Sequence, residues 1–265
     1  LLDTARGAVP AVVELGAAGP ARVVGSDTAA LYVRVGTVLL AVDVREGRVR
    51  ARREGVGEDG FEVHPRGRGG YVLSRNGGVL GVAAGSLRPV WGWPERGAAG
   101  TALAVSPLGD RVYHALGGDE PRILVRDAQT GRILAERAMG GPVRVLETGL
   151  DGTLYALVGE GRLALAALRP GPEGLEELWD RALRGATAEG GVRLAVSPAE
   201  PRLAVVSPED GGTLRVLDAA TGETLSSEAG VLDAAWAADG ALYVLTPEEV
   251  RLVRELRENE EGARR

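Results

Sequence analysis

Acidic side chains recur in short polar segments of this sequence that lie about 40 to 50 residues apart. Clustered carboxylates suit a hard cation such as Ca²⁺ or a basic partner. The competing interpretation is that these acids only keep the surface of an acidic protein soluble. The candidate ligand-binding residues are Asp119, Glu120, Glu160, Glu209, Asp210, Glu248 and Glu249.

The only two histidines, His64 and His114, show no catalytic or metal-binding pattern. His64 stands before a proline, at the place that Ser106 and Ser197 occupy in similar segments, which indicates a turn. The chain has no Cys, no His-x-x-x-His spacing, no Gly-x-Ser-x-Gly nucleophile motif and no Walker pattern. The sequence therefore predicts no catalytic residue and no cofactor, and it leaves a metal ion open.

The elements that carry these residues follow an internal repeat of about 40 residues. Residues 102–113 and 193–204 match in pattern and register, and each is an aliphatic run, a polar turn and a second aliphatic run. This is the sequence form of a β-hairpin. The second run of each repeat is marked by Tyr32, Tyr71, Tyr113, Tyr155 and Tyr243, with Ala204 in place of the missing tyrosine.

Each clear repeat continues with a third run that ends in Asp, with Gly four residues later. Residues 127–131 and 218–222 read Asp-x-x-Thr-Gly, and residues 43–47 are a weaker copy. Asp can bond its own backbone and Gly accepts a positive φ, so this spacing predicts a tight turn into a fourth strand.

Four strands in about 42 residues predict one blade of a propeller. The sequence therefore predicts an all-β, six-bladed β-propeller of four-stranded antiparallel blades, in a single domain over residues 1–265. The predicted blades are about 21–56, 57–98, 99–140, 141–186, 187–229 and 230–256. The sixth repeat lacks a fourth strand, and we expect residues 8–15 to supply it and to close the ring, which removes an open edge.

Two segments also fit a helix. Leu175, Leu178 and Trp179 have helical spacing, and residues 246–249 read as a capped helix start. The repeat phase favours strands at both places, the last of them over residues 250–256. We also expect the tyrosines to pack between neighbouring blades, and Trp91, Trp93 and Trp179 to cover the blade flanks.

The order of strand, Ser-Pro-x-Gly, strand with Tyr, strand, Asp-x-x-Thr-Gly and strand resembles the YVTN-type and quinoprotein-like β-propeller repeats over residues 21–256. It is WD-repeat-like as well, although the Gly-His and Trp-Asp dipeptides do not recur in repeat phase. Six-bladed lactonase-like enzymes among such propellers imply an alternative, a metal-dependent hydrolase. The asparagine ligands of those enzymes are nearly missing, because only Asn76 and Asn259 occur.

Composition narrows the classes of partner. The chain has 37 acidic against 31 basic residues and a net charge of −6, which disfavours nucleic acid, and it has no apolar run long enough to span a membrane. We expect a non-enzymatic binding or scaffold propeller that presents an acidic loop face to a protein or small ligand. The start at Leu1 favours a periplasmic or secreted protein, and the scarcity of Asn, Gln and Met favours a thermophilic bacterial source.

Overall fold

The computed structural model describes residues 13–27, 29–43, 46–67, 69–74, 77–93, 100–183, 191–207 and 211–253. Its elements are β-strands, which form six antiparallel sheets in chain order. The chain divides into two compact units. The first contains Leu1–Asp119 with Leu124–Leu134, and the second contains Glu120–Ile123 with Ala135–Arg265. None of the described residues lies in a helix of the length and apolarity needed to cross a membrane.

The first unit contains sheets 1 and 2 and most of sheet 3, whose third strand begins and whose last strand ends in the second unit. Sheet 1 has β1 (Ala21–Ser26), β2 (Leu31–Val35), β3 (Val38–Asp43) and β4 (Arg48–Arg53). Sheet 2 has β5 (Val56–Val63), β6 (Gly69–Ser74), β7 (Val79–Ala83) and β8 (Pro89–Trp93). Sheet 3 has β9 (Gly100–Val105), β10 (Arg111–Leu116), β11 (Arg122–Asp127) and β12 (Ile133–Ala138).

The second unit contains sheets 4 to 6. Sheet 4 has β13 (Val143–Thr148), β14 (Leu154–Val158), β15 (Leu163–Gly171) and β16 (Gly174–Leu183). Sheet 5 has β17 (Arg193–Val196), β18 (Arg202–Ser207), β19 (Thr213–Asp218) and β20 (Thr224–Ala229). Sheet 6 has β21 (Asp233–Trp236), β22 (Leu242–Leu245) and β23 (Val250–Val253), so three strands are described there.

Burial differs between the strands of one sheet. Strands β3, β10 and β18 are almost entirely buried, because both of their faces pack against neighbours. The fourth strands β4, β12 and β20 alternate between exposed and half-buried residues. Strand β4 carries four arginines, which discourages pairing of this edge with another chain, whereas β12 and β20 carry only two and one charged side chains.

The predicted tight turn forms between the third and fourth strands. The Oδ1 atom of Asp127 accepts hydrogen bonds from the backbone N–H of Gln129 at 3.1 Å and of Thr130 at 2.7 Å. Gly131 then takes a φ of +73° and donates its N–H to the Asp127 carbonyl at 2.8 Å. Asp218 and Gly222 form the same turn in sheet 5, with a φ of +71°.

Neither segment with a competing helical pattern is helical: the first is a strand, and residues 246–249 form the loop that precedes the last described strand. Residues 175–179 lie within β16, and β23 covers Val250–Val253, while residues 254–256 lie outside the described residues. Of the expected closing strand, residues 8–12 also lie outside the described residues. Val13 and Leu15 carry no strand and pack against the core of sheet 1. The closing strand therefore stays a prediction for residues 8–12.

Four of the five repeat tyrosines, and Ala204, are buried on second strands, as the repeat predicts. The fifth, Tyr243, is 44% exposed, so the expectation of an equivalent environment is wrong for this residue. Its strand β22 alternates between buried and exposed residues, and Tyr243 lies on the exposed face with Leu245.

Candidate functional site

Each sheet has two ends that differ in their connections. At the turn end, tight turns join the first strand to the second and the third to the fourth. At the loop end, a loop joins the second strand to the third, and the chain leaves for the next sheet. The acidic candidates belong to the loop ends, whereas cavities open at turn ends.

The loop-end acids lie where the sequence predicts, between second and third strands. Asp119 and Glu120 follow β10, Glu160 follows β14, and Glu248 and Glu249 follow β22. All five are exposed, and none of them has an ion-pair partner within the described part of the chain. Glu209 and Asp210 lie outside the described residues.

The loop-end acids that the structure describes do not assemble a metal site. Among the described residues, no group of three or more His, Asp or Glu side chains is close enough to hold a metal ion. Around Thr246, the hydroxyl accepts the backbone N–H groups of Glu248 and Glu249 at 3.4 and 3.2 Å, so this loop is ordered by its own turn.

The two histidines have separate structural environments. The Nδ1 atom of His64 accepts the backbone N–H of Arg66 at 3.0 Å, which fits the predicted turn. Its ring also lies over Gly109 of sheet 3, where a Cβ atom would be 2.4 Å from the ring. His114 is fully buried on β10, and burial, with a smaller contribution from Arg126, lowers its pKa to about 3. His114 is therefore neutral at physiological pH.

A cross-strand row of Glu, Tyr, a small residue and Trp runs through sheet 2 and again through sheet 4. In sheet 2 the paired residues are Glu62, Tyr71, Gly81 and Trp91, one from each strand. In sheet 4 they are Glu147, Tyr155, Ala167 and Trp179. Directly paired residues of an antiparallel sheet lie on one face, so the small residue lets the two aromatic rings approach across it. We call this arrangement the aromatic row.

Both aromatic side chains of each row bond one carbonyl of the following sheet. Trp91 Nε1–H donates to the Ala128 carbonyl at 3.0 Å, and the Tyr71 hydroxyl lies 3.4 Å from the same oxygen. Trp179 Nε1–H and the Tyr155 hydroxyl donate to the Ala219 carbonyl at 3.2 and 3.3 Å. These carbonyls belong to the turns after Asp127 and Asp218. Each row therefore fixes the next sheet by its predicted turn.

The inner-strand glutamate of the second row has an unusual charge state. Glu147 pairs with Tyr155 across the sheet, and burial raises the pKa of its carboxyl to about 7. No hydrogen bond or ion pair to the Glu147 carboxyl forms within the described residues. Burial therefore favours the protonated form of Glu147 relative to an exposed glutamate.

Two of the cavities at turn ends lie directly beside an aromatic row. Groove 2/3, between sheets 2 and 3, has a volume of about 460 Å³. Groove 4/5, between sheets 4 and 5, has a volume of about 360 Å³. The lining includes Arg66, Tyr71, Val90, Trp91, Leu108, Asp110 and Asp127 in groove 2/3, and Leu150, Asp151, Tyr155, Arg169, Leu178 and Glu200 in groove 4/5.

The sequence did not predict the grooves or the bonds made by the rows. The available signal was the recurrence of Trp at the same fourth-strand position in two repeats, Trp91 and Trp179. The expected packing of tyrosines between neighbouring sheets is seen for Tyr71 and Tyr155, which reach Ala128 and Ala219.

The comparisons with known proteins are informative for structure only. No family model matches the chain, and no curated protein matches it. Among solved structures, it is similar to the Cps50 (Swd1) β-propeller domain of Myceliophteria thermophila, with a TM-score of 0.55 and 17% identity. The match covers 76% of this chain and 65% of that domain, which is less than two thirds of its length. The chain has a β-propeller fold. Its six sheets are the blades, and their strands run antiparallel as predicted.

Proposed function

We propose that this protein is a non-enzymatic scaffold propeller whose acidic loop ends bind a basic surface of a partner protein. The observation that carries the proposal is the state of Asp119, Glu120, Glu160, Glu248 and Glu249. Each is exposed and lacks an ion-pair partner within the described residues. Uncompensated charge of one sign steers and orients a partner of the opposite sign.

Three acids elsewhere on the sheets form ion pairs. Glu177 is 2.7 Å from Arg137, Glu200 is 2.9 Å from Arg202, and Asp233 pairs with Arg193. Those carboxylates already have a cation beside them, so they attract a basic partner less strongly. Exposed acids without a described ion pair also occur elsewhere, so the support for a specific role is the recurrence of the loop-end acids between second and third strands of several sheets.

The alternative, a metal-dependent hydrolase of the lactonase-like type, has less support. Such a site needs several oxygen or nitrogen ligands around one ion. The described residues bring no three His, Asp or Glu side chains together for that purpose. The place of the repeats within the YVTN-type and quinoprotein-like group is likewise our proposal, supported by the Ser-Pro-x-Gly and Asp-x-x-Thr-Gly motifs.

Two variants with equal charge test the proposal. In the loop variant, Asp119→Asn is combined with Gln at 120, 160, 248 and 249. In the control variant, Gln replaces five other exposed acids without a described ion pair, Glu14, Glu136, Glu173, Glu176 and Glu223. Both raise the net charge equally, so a difference between them reports the location of the acids.

The probe is a hexa-arginine peptide, titrated calorimetrically at low and at physiological salt. We expect the loop variant to bind it about tenfold more weakly than the control variant, with the difference shrinking as salt rises. Equal affinity of the two variants would show that the loop acids are only solubilising and would overturn the proposal.

A further inference from the structure

We propose that sheet 6 has an uncovered binding face, onto which a partner protein packs an apolar β-sheet surface that is bordered by arginine or lysine. For the charge of the partner, this inference rests on the proposed function. It adds an apolar contact surface to that function, and the closing experiment separates the two.

The uncovered face is one side of the three described strands of sheet 6. Directly paired residues of an antiparallel sheet lie on the same side. Tyr243 pairs with Leu252, and Leu245 pairs with Val250, so all four share this side. Tyr243, Leu245 and Val250 are 44%, 39% and 66% exposed. The other side of the sheet packs into one apolar cluster with sheet 5.

The repeat shows that the exposed aliphatic pair occupies a core position. In sheets 2, 4 and 5, the equivalent pair has its second-strand member two residues after the tyrosine position, and both members are at most 3% exposed. In sheet 6 the same position holds Leu245 and Val250. Scattered exposed aliphatic residues are ordinary, but a pair that is buried in three sheets and exposed in a fourth marks an unoccupied contact surface. The buried pairs are Leu73 with Val79, Leu157 with Leu165, and Val206 with Leu214.

The residues that cover the buried pairs indicate the kind of partner. Each pair belongs to one apolar cluster with aliphatic residues from strands of the following sheet. The uncovered face has the same types of residue in the same register, so it suits the aliphatic side of another β-sheet. The covering residues include Leu103 and Val105 in sheet 3, Leu194 and Leu203 in sheet 5, and Leu242 and Val244 in sheet 6.

Two acids border the uncovered face. Glu248 and Glu249 lie in the loop that joins Leu245 to Val250, directly beside the exposed pair. Both are exposed, and neither has an ion-pair partner within the described residues. An arginine or lysine at the edge of the partner surface complements these carboxylates.

The charged side chains on the strands of sheet 6 are already compensated. Arg251 pairs with Val244 in the sheet, which places it on the side away from the uncovered face, and it forms an ion pair with Glu228 of sheet 5. Asp233 forms an ion pair with Arg193. A two-fold contact between two copies of this chain would bring the same uncompensated loop acids into one interface, where like charges repel. The charge therefore favours a basic partner protein over a second copy.

Cysteine labelling tests whether the face is open in the whole chain. The chain has no Cys, so Val250→Cys and Val90→Cys each introduce one thiol, at positions that are 66% and 67% exposed. We expect similar rates of reaction with a maleimide at high salt, where the neighbouring glutamates affect the thiol little. Labelling at residue 250 that is slower by about tenfold or more would show that another segment of this chain, or a second copy, covers the face, and it would overturn the inference.

A cyclic β-hairpin peptide is the probe for the partner surface. Its basic form carries Val and Leu on one face and Arg at the edges. One matched form has Glu in place of Arg, and another has Ser in place of Val and Leu. By calorimetry, we expect the basic hairpin to bind about tenfold more tightly than either matched form. If one of the matched forms binds as tightly as the basic hairpin, the inferred partner is wrong.

A pair of double variants locates the binding. Leu245→Ser with Val250→Ser, the face variant, is expected to bind the basic hairpin about tenfold more weakly. Leu134→Ser with Val90→Ser is the matched control, because these residues are 45% and 67% exposed and lie outside sheet 6, and it should keep the affinity. Thermal unfolding verifies the fold of each variant. If the face variant is unstable, the Val250→Cys protein with its maleimide attached replaces it. Equal affinity of the face variant and the control contradicts the inference.

Glu248→Gln with Glu249→Gln, the acid variant, separates this inference from the proposed function. Weaker binding of the basic hairpin by both the acid variant and the face variant supports both. If only the acid variant binds it more weakly, the contact is purely electrostatic, so the inference is wrong while the loop-end function stands. If only the face variant does so, and hexa-arginine does not distinguish the loop variant from its control, the loop-end function is wrong and the basic partner with it.

Discussion

Sheets 4 and 5 are built from the same repeat, yet they are attached to their following sheets in different ways. Sheet 4 uses its aromatic row, in which Tyr155 and Trp179 bond the Ala219 carbonyl of sheet 5. The corresponding row of sheet 5 is Ala195, Ala204, Val216 and Ser226, which has no aromatic side chain.

The following sheet supplies the bonds that sheet 5 lacks. Trp236 of sheet 6 donates its indole N–H to the Ala195 carbonyl at 3.2 Å, and Asp233 pairs with Arg193. Sheets 4 and 5 are thus joined at the turn end, whereas sheets 5 and 6 are joined at their inner strands. In the first pair the tryptophan donor belongs to the earlier sheet, and in the second pair it belongs to the later sheet. The repeat determines the strands within each sheet, whereas the hydrogen bonds between neighbouring sheets differ from one pair of sheets to the next.

Replacing the indole of the aromatic row is expected to have the largest effect. Trp179 is buried, so Trp179→Ala should lower the free energy of unfolding by about 3 to 5 kcal/mol, through a cavity and a lost hydrogen bond. Trp236 is half-buried, and Trp236→Ala should cost less than half as much. Urea unfolding followed by circular dichroism measures both. Equal losses would mean that the two attachments are equally strong.

Glu147 is expected to make the contribution of sheet 4 to stability depend on pH. Sheet 5 lacks this effect because Ala195 occupies the corresponding position of its row. The pKa of Glu147 in the folded protein is about 7, above the ordinary 4.5, so the folded state holds the proton more tightly. The stabilisation is present below about pH 4.5 and is lost as pH rises through 7, by at most about 3 kcal/mol.

Glu147→Gln tests this directly, since the amide is neutral at every pH. We expect the melting temperature of the unmodified protein to fall between pH 5 and 8 more than that of the variant. Glu176→Gln, at an exposed position of β16, should keep the original profile. Parallel profiles for all three proteins would mean that Glu147 titrates normally.

The smallest expected effect concerns a single hydroxyl. Tyr155→Phe removes the bond to the Ala219 carbonyl and should cost about 1 kcal/mol, while the ring and its packing remain. Tyr243→Phe changes an exposed hydroxyl and should leave stability unchanged within about 0.5 kcal/mol. The two measurements together separate the hydrogen bond from the presence of tyrosine in the repeat.

The sequence predicts the sheets well because their turns are determined locally. Asp127 bonds amides two and three residues away, and Gly131 takes a positive φ four residues later, so a short motif contains the whole interaction. The loop-end positions of Asp119 and Glu160 follow from the same count of strands. Residues 209 and 210 remain predictions, as does the strand expected at residues 8–12.

The contacts between sheets could not be predicted because they depend on register and on distant atoms. Glu147 faces Tyr155 only after a register shift between Val143 and Val145, and that shift has no signature in the letters. Trp179 bonds a carbonyl 40 residues away. The tyrosine repeat itself misled at Tyr243, where the same residue type lies on an exposed face.

The acceptor at Ala128 and Ala219 is a main-chain oxygen, and every amino acid provides one. The side chain at these positions can therefore drift without removing the bond, provided that the turn keeps its shape. The neighbouring sheet must therefore keep the path of its backbone at this turn, but it does not need a particular residue there. The sequence of one repeat can therefore change widely while its sheet still packs against the tyrosine and tryptophan of the preceding sheet.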